Sequence, residues 1–109
     1  MTDQEARQAD AKLHTLLTGE AVTQGVTQTH YYGPDLEPVP HYHTTWEGMG
    51  LVIERMDAKG YLYVMGSWDD GTKHVFFRKA GNPWRHYGYA KSLPEAVSKA
   101  ATAALEADE

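Results

Sequence analysis

The chain has no cysteine among its 109 residues, so no disulfide braces it and no thiolate can hold a metal. No apolar run approaches the ~20 residues needed to cross a bilayer. The opening residues MTDQEARQAD are polar and acidic, without the apolar segment of a secretory signal. The expectation is a soluble cytoplasmic protein. A third absence is local. Residues 72–94 contain no Asp or Glu, although the chain carries fifteen acids and a net charge of −5. The same stretch holds Lys73, Arg78, Lys79, Arg85 and Lys91, with His74 and His86 among them. It is either an anion-facing surface or a cationic sheet that pairs with neighbouring acidic helices.

What is present reads as one domain, 1–109, large enough to bury about 65% of the unfolded chain's surface in one core. The segment PVPHYHTTWEGMGLVIERMDAKG, residues 38–60, organises the rest. Thr44-Thr45-Trp46-Glu47 has the form of a capping box, with Thr44 as the cap and Glu47 reaching back to it. Trp46, Met49, Val52, Ile53 and Met56 make one apolar stripe at helical spacing, and Gly60 ends the helix, giving 45–59. Gly48 and Gly50 within it are read as places where a neighbouring backbone comes close.

Upstream, Thr2-Asp3-Gln4-Glu5 is another box, opening a helix over 2–18 whose stripe of Ala6, Ala9, Leu13, Leu16 and Leu17 is thin. Residues 19–44 have no helical period and include Pro34, Pro38 and Pro40; they read as a long connection. Downstream, YLYVMGSW and TKHVFFRK flank Asp69-Asp70-Gly71, a hairpin signal, and WRHYGYA follows a break at 80–83. A last helix, 93–107, opens at Ser92-Leu93-Pro94-Glu95 and carries a stripe rich in alanine. Its terminal acids, Glu106, Asp108 and Glu109, oppose the helix dipole and predict a frayed last turn. The fold class is therefore α+β, ordered α-loop-α-β-β-β-α, with a three-stranded antiparallel sheet sandwiched by helices and a core over 45–107.

Pro40, Tyr42, Thr44, Val52, Ile53, Glu54, Gly60, Pro94, Glu95, Ala96 and Ala101 fall on a known pattern. The chain resembles the phage ABA sandwich domain, a family of small bacteriophage proteins, over about residues 38–105. That pattern has a Pro-x-Tyr-Ser-Thr entry, a helix ending Val-Val-Glu-Lys-x-x-x-x-Gly, and a closing Pro-Glu-Ala-Ile helix. His43 stands where the family has serine. Because several small phage proteins sequester nucleotide signals of host defence, the resemblance implies a phage-encoded, anti-defence sponge acting in the host cytoplasm. The order helix, three strands, helix is also similar to the double-stranded-RNA-binding domain. That module needs lysines at the start of its last helix. Glu95 stands there instead, which argues against nucleic-acid binding by that mode.

Period two sets Leu62, Val64 and Trp68 against Tyr61, Tyr63 and Met65 on the first strand. On the others it sets Val75 and Phe77 against His74, Phe76 and Arg78, and Trp84, His86 and Gly88 against Arg85, Tyr87 and Tyr89. The more polar sets, Tyr63, Met65, His74, Phe76, Arg78, Arg85, Tyr87 and Tyr89, are expected to line one face. Aromatic planes beside guanidinium forks suit a nucleobase with phosphates. The same face would equally suit packing under helix 2–18 or under a second subunit. The candidate ligand-binding residues are Tyr42, His43, Trp46, Tyr63, His74, Arg78, Trp84, Arg85 and Tyr87. Their ligand is a small, anionic, nucleotide-like molecule, bound by a homo-oligomer. The alternative function is a protein-interaction module working through the aromatic face and the first helix.

His41-x-His43 places two imidazoles on one side of an extended segment, with His30, His74 and His86 as possible supplements, but no Asp or Cys stands at ligand spacing and no metal site is assigned. No nucleophile elbow, phosphate loop or carboxylate pair is present, so neither catalytic residues nor a cofactor are assigned.

Overall fold

The Thr2 box forms as its spacing requires: the Glu5 N–H donates to Thr2 Oγ1 at 3.1 Å, and the Thr2 N–H donates to Glu5 Oε1 at 3.3 Å. It starts helix α1 (Asp3–Thr18) in a computed structural model that describes residues 2–24 and 30–108. Three short strands follow, β1 (Val22–Gln24), β2 (His30–Tyr32) and β3 (Glu37–Pro38). Then come helix α2 (Trp46–Ala58), strands β4 (Tyr61–Ser67), β5 (Lys73–Lys79) and β6 (Arg85–Ala90), and helix α3 (Leu93–Ala107). The fold is α+β, with β4-β5-β6 forming an antiparallel meander.

The stretch 19–44 departs from its reading as a bare connection. It carries a second antiparallel sheet, β1-β2-β3, in which Thr23 faces Tyr31 and Tyr31 faces Pro38. Strands of two or three residues are too short to show a period. Pro38 is tolerated because β3 is an edge strand.

The helices also do not sandwich the main sheet. The alanine stripe of α3 (Ala96, Ala100, Ala101, Ala104, with Val97) is fully buried against Val75 and Phe77. Helix α2 packs beside α3 and touches β4, while α1 lies behind both and does not reach β4, β5 or β6. Gly88 makes the close approach possible. A Cβ there would meet the Ala96 carbonyl oxygen at 2.2 Å and the Ala100 nitrogen at 2.5 Å. One face of the sheet is thus covered and the other is open.

Both later caps shift from their expected form. The N-cap of α2 is Thr45 rather than Thr44: the Gly48 N–H donates to Thr45 Oγ1 at 3.0 Å, and that hydroxyl donates to the His41 carbonyl at 2.8 Å. Glu47 therefore falls at the second helical position, too early to close a box. Ser92 caps α3 without a side-chain hydrogen bond. The last turn of α3 is helical through Ala107, where fraying was expected, and two of its acids find partners; Glu109 lies outside the described residues. Glu106 lies 3.1 Å from Lys12, and Asp108 lies 3.7 Å from Lys79 and accepts from the Tyr61 hydroxyl.

Candidate functional site

Cross-strand register decides which side chains share the open face. Leu62, Arg78 and Arg85 stand in one row, Val64, Phe76 and Tyr87 in the next, and Gly66, His74 and Tyr89 in the third. The covered face takes Tyr63, Phe77 and His86, then Met65, Val75 and Gly88. Tyr63 and Met65 were expected beside the arginines and lie on the helix side instead. The three strands are in register with Gly88 and Val75 against α3, so Leu62 and Val64, the aliphatic set of β4, are left outside. The set on β5 and β6 is as expected.

The rings of the open face form an unbroken row. His74 fills the space over Gly66, where a Cβ would meet its ring at 2.4 Å, and stacks on Trp68 with centroids 4.9 Å apart. Trp68 stacks on Tyr89 at 5.4 Å, Tyr89 lies parallel to Tyr87 at 5.9 Å, and Tyr87 meets Phe76 at 5.5 Å. The Arg85 guanidinium closes the row, 5.0 Å from the Phe76 centroid, a cation–π contact. Trp84, 73% exposed, precedes Arg85 at the rim.

Arg78 and Arg85 are direct cross-strand partners on this face. Like charges so placed repel. Arg78 donates to the Asn82 carbonyl at 3.3 Å, and among the described residues neither arginine is paired with a carboxylate. Elsewhere in the basic stretch, Lys73 and Lys91 donate to Ser67 and Thr72 hydroxyls, and Lys79 has Asp108. Pairing with acidic helices therefore accounts for Lys79 but not for the two arginines.

The remaining candidates do not join this face. Trp46 opens α2 and is 65% exposed, although its spacing placed it on the buried stripe. Tyr42 and His43 lie behind the helix layer, in a buried polar network that their neighbours do not foreshadow. Asp10, fully buried, accepts at Oδ1 from the His43 backbone N–H at 2.9 Å and from His43 Nδ1 at 2.7 Å. Its Oδ2 accepts from Arg7 Nη1 at 2.8 Å, and Arg7 also donates to the Val39 and Pro40 carbonyls.

His14 sits beside this network, with Nδ1 2.7 Å from the Tyr42 hydroxyl and Nε2 3.2 Å from Glu20. A carboxylate only accepts, so Nε2 carries the proton and Tyr42 donates to Nδ1. Burial drives the Tyr42 phenol up to about 12, and it lowers His14, with Glu20 opposing. The Tyr42 carbonyl in turn accepts from Ser98 on α3. These bonds anchor the 39–45 entry segment between α1 and α3.

His41 is exposed while His43 is turned onto Asp10; His30 is on β2, His74 on the open face and His86 on the covered one. The histidines are thus dispersed. A groove of about 320 Å³ between α1 and α3 borders His43, Lys12, Lys99, Thr102 and Glu106. Comparison with protein-family models, curated proteins and solved structures returned no match.

Proposed function

We propose that the chain is a binding protein, without catalysis, whose open sheet face takes a planar anionic ligand of the nucleotide type. One observation carries this reading: two arginines are direct cross-strand partners on β5 and β6, neither paired with a carboxylate among the described residues, at the end of a row of aromatic rings. An anion between Arg78 and Arg85 removes their mutual repulsion, and a base attached to it reaches Phe76 and Tyr87. The resemblance to phage ABA sandwich proteins points toward a nucleotide signal of bacterial host defence, which the protein sequesters. Titration calorimetry against cyclic dinucleotides and ADP-ribose derivatives tests it. Binding that disappears in Arg78→Met/Arg85→Met is expected, and silence across the panel at high protein concentration refutes it.

A second reading rests on Leu62 and Val64, two aliphatic side chains exposed on the same face. Exposed apolar area of this kind marks interfaces. A second copy of the chain seated there would enclose a ligand between two sheets. Light scattering that gives a mass of about 12 kDa at micromolar concentration rules out that assembly.

A further inference from the structure

The ring row is longer than one base requires. From Arg78 to His74 the open face runs four residues along β5, which is about 13 Å of strand. Over that length lie Phe76, Tyr87, Tyr89, Trp68 and His74, each in contact with the next. A mononucleotide held by its phosphate at the arginines would cover Phe76 and Tyr87. It would leave Trp68, Tyr89 and His74 in water.

The face is also open. Leu62, Val64, Trp68, Tyr87 and Tyr89 each keep more than two-fifths of their surface exposed. Small ligands are held in clefts that bury most of their surface, and an open stacking platform is the solution used for strands of bases. The arginine pair stands at one end of this face with the neutral rings beyond it, and at the far end Lys91 is held on the Thr72 hydroxyl at 3.1 Å. A ligand matching that order has a phosphate at one end and bases running away from it.

We infer, resting on the function proposed above, that the ligand carries at least two nucleobases joined by phosphodiester linkage. One base stacks at Phe76 and Tyr87, with phosphate at Arg78 and Arg85, and the next stacks at Tyr89 and Trp68. Glu95, which argues against gripping a duplex, lies on the opposite side and does not bear on this face. A cyclic dinucleotide and a short linear single strand share this chemistry.

Trp68 provides the readout once it is the sole tryptophan, in Trp46→Phe/Trp84→Phe. Its fluorescence is titrated with AMP, with the linear dinucleotide pApA, with cyclic di-AMP and with an eight-base single-stranded DNA, at 50 and 200 mM salt. Each stacked base adds roughly tenfold in affinity. At least one two-base ligand is therefore expected to bind about tenfold tighter than AMP and to quench Trp68. The Trp68→Ala chain, followed by calorimetry, is expected to lose that tenfold. A preference for the cyclic or the linear form identifies the source of the ligand. If AMP binds and no longer ligand binds tighter, the length inference fails while the proposed function stands. If none of the four binds, the length inference fails, and the proposed function fails with it only if the ADP-ribose derivatives are silent too.

Discussion

Two glycines stand two residues apart in α2 and should respond to alanine in opposite senses. In a helix interior, Gly→Ala gains about 0.5–1 kcal/mol through backbone entropy and helix propensity. At Gly50 nothing lies within 4 Å of the added Cβ, so Gly50→Ala is expected to show that gain undiminished. At Gly48 the Cβ would fall 2.2 Å from the His41 carbonyl oxygen, 2.6 Å from its carbon and 2.8 Å from the Tyr42 Cα. These are backbone atoms that cannot rotate away. That carbonyl also accepts from the Thr45 N–H at 3.2 Å and from the Thr45 hydroxyl at 2.8 Å, so displacing it loosens the α2 cap. Overpacking costs about 1–3 kcal/mol and a weakened cap about 1 kcal/mol. Gly48→Ala should therefore lose about 2 kcal/mol net, roughly 3 kcal/mol below Gly50→Ala. Urea unfolding read by circular dichroism, with both variants at the wild-type m-value, measures the difference. If the two changes shift stability in the same direction, the 39–45 segment does not lie on α2 as described.

Other outcomes follow from the same geometry. Asp10→Ala removes the acceptor for Arg7 and for both His43 donors, and should cost about 3–5 kcal/mol in the same unfolding experiment. Burial holds the folded His14 pKa below the ordinary imidazole value of 6.5. Between the two values the unfolded chain holds a proton that the folded one does not, so stability should fall as pH drops through and below about 6.5. Melting curves from pH 7.5 to 5 check this, and His14→Gln should flatten the slope. Tyr63→Ser, on the helix side, should leave nucleotide affinity unaltered. Tyr87→Ser, within the ring row, should weaken it about tenfold by calorimetry.

The boundaries of α1, α2 and α3 were legible because caps and helical periods are local. The Thr2 box and Gly19, at φ 78°, bracket α1 without help from the rest of the chain. The choice between Thr44 and Thr45 was not legible. Either hydroxyl can cap a helix, and the His41 carbonyl decides between them from outside it. The thinness of the α1 stripe was also real information, differently explained. Ala6, Asp10, Leu13, His14 and Leu17 are its buried residues, so two of the positions at helical spacing are polar. A carboxylate and an imidazole at core spacing signalled partners elsewhere, and His43 and Tyr42 are those partners. Nothing in α1 alone could name them.

The open face shows most clearly what a period can and cannot decide. Alternation separates two sets on each strand, but the side that faces the helix is set by contact. Helix α3 sits so near β6 that only a residue without a side chain fits beneath Ala96 and Ala100. Gly88 occupies that position, so Tyr87 and Tyr89, its neighbours on either side, must point outward. Val75, paired with Gly88, fixes β5, and through β5 the face of β4 follows. Outward aromatic rings on β6 are therefore a consequence of packing and would exist with no ligand at all. The arginines are different. Arg85 could be any polar residue without disturbing α3, and so could Arg78, yet both are cationic and directly opposed. Packing does not require that pair and electrostatics disfavours it in the unliganded chain. The Phe76 ring beside Arg85 and the Asn82 carbonyl bonded to Arg78 account for each arginine singly; their direct opposition is what the proposed anion would explain.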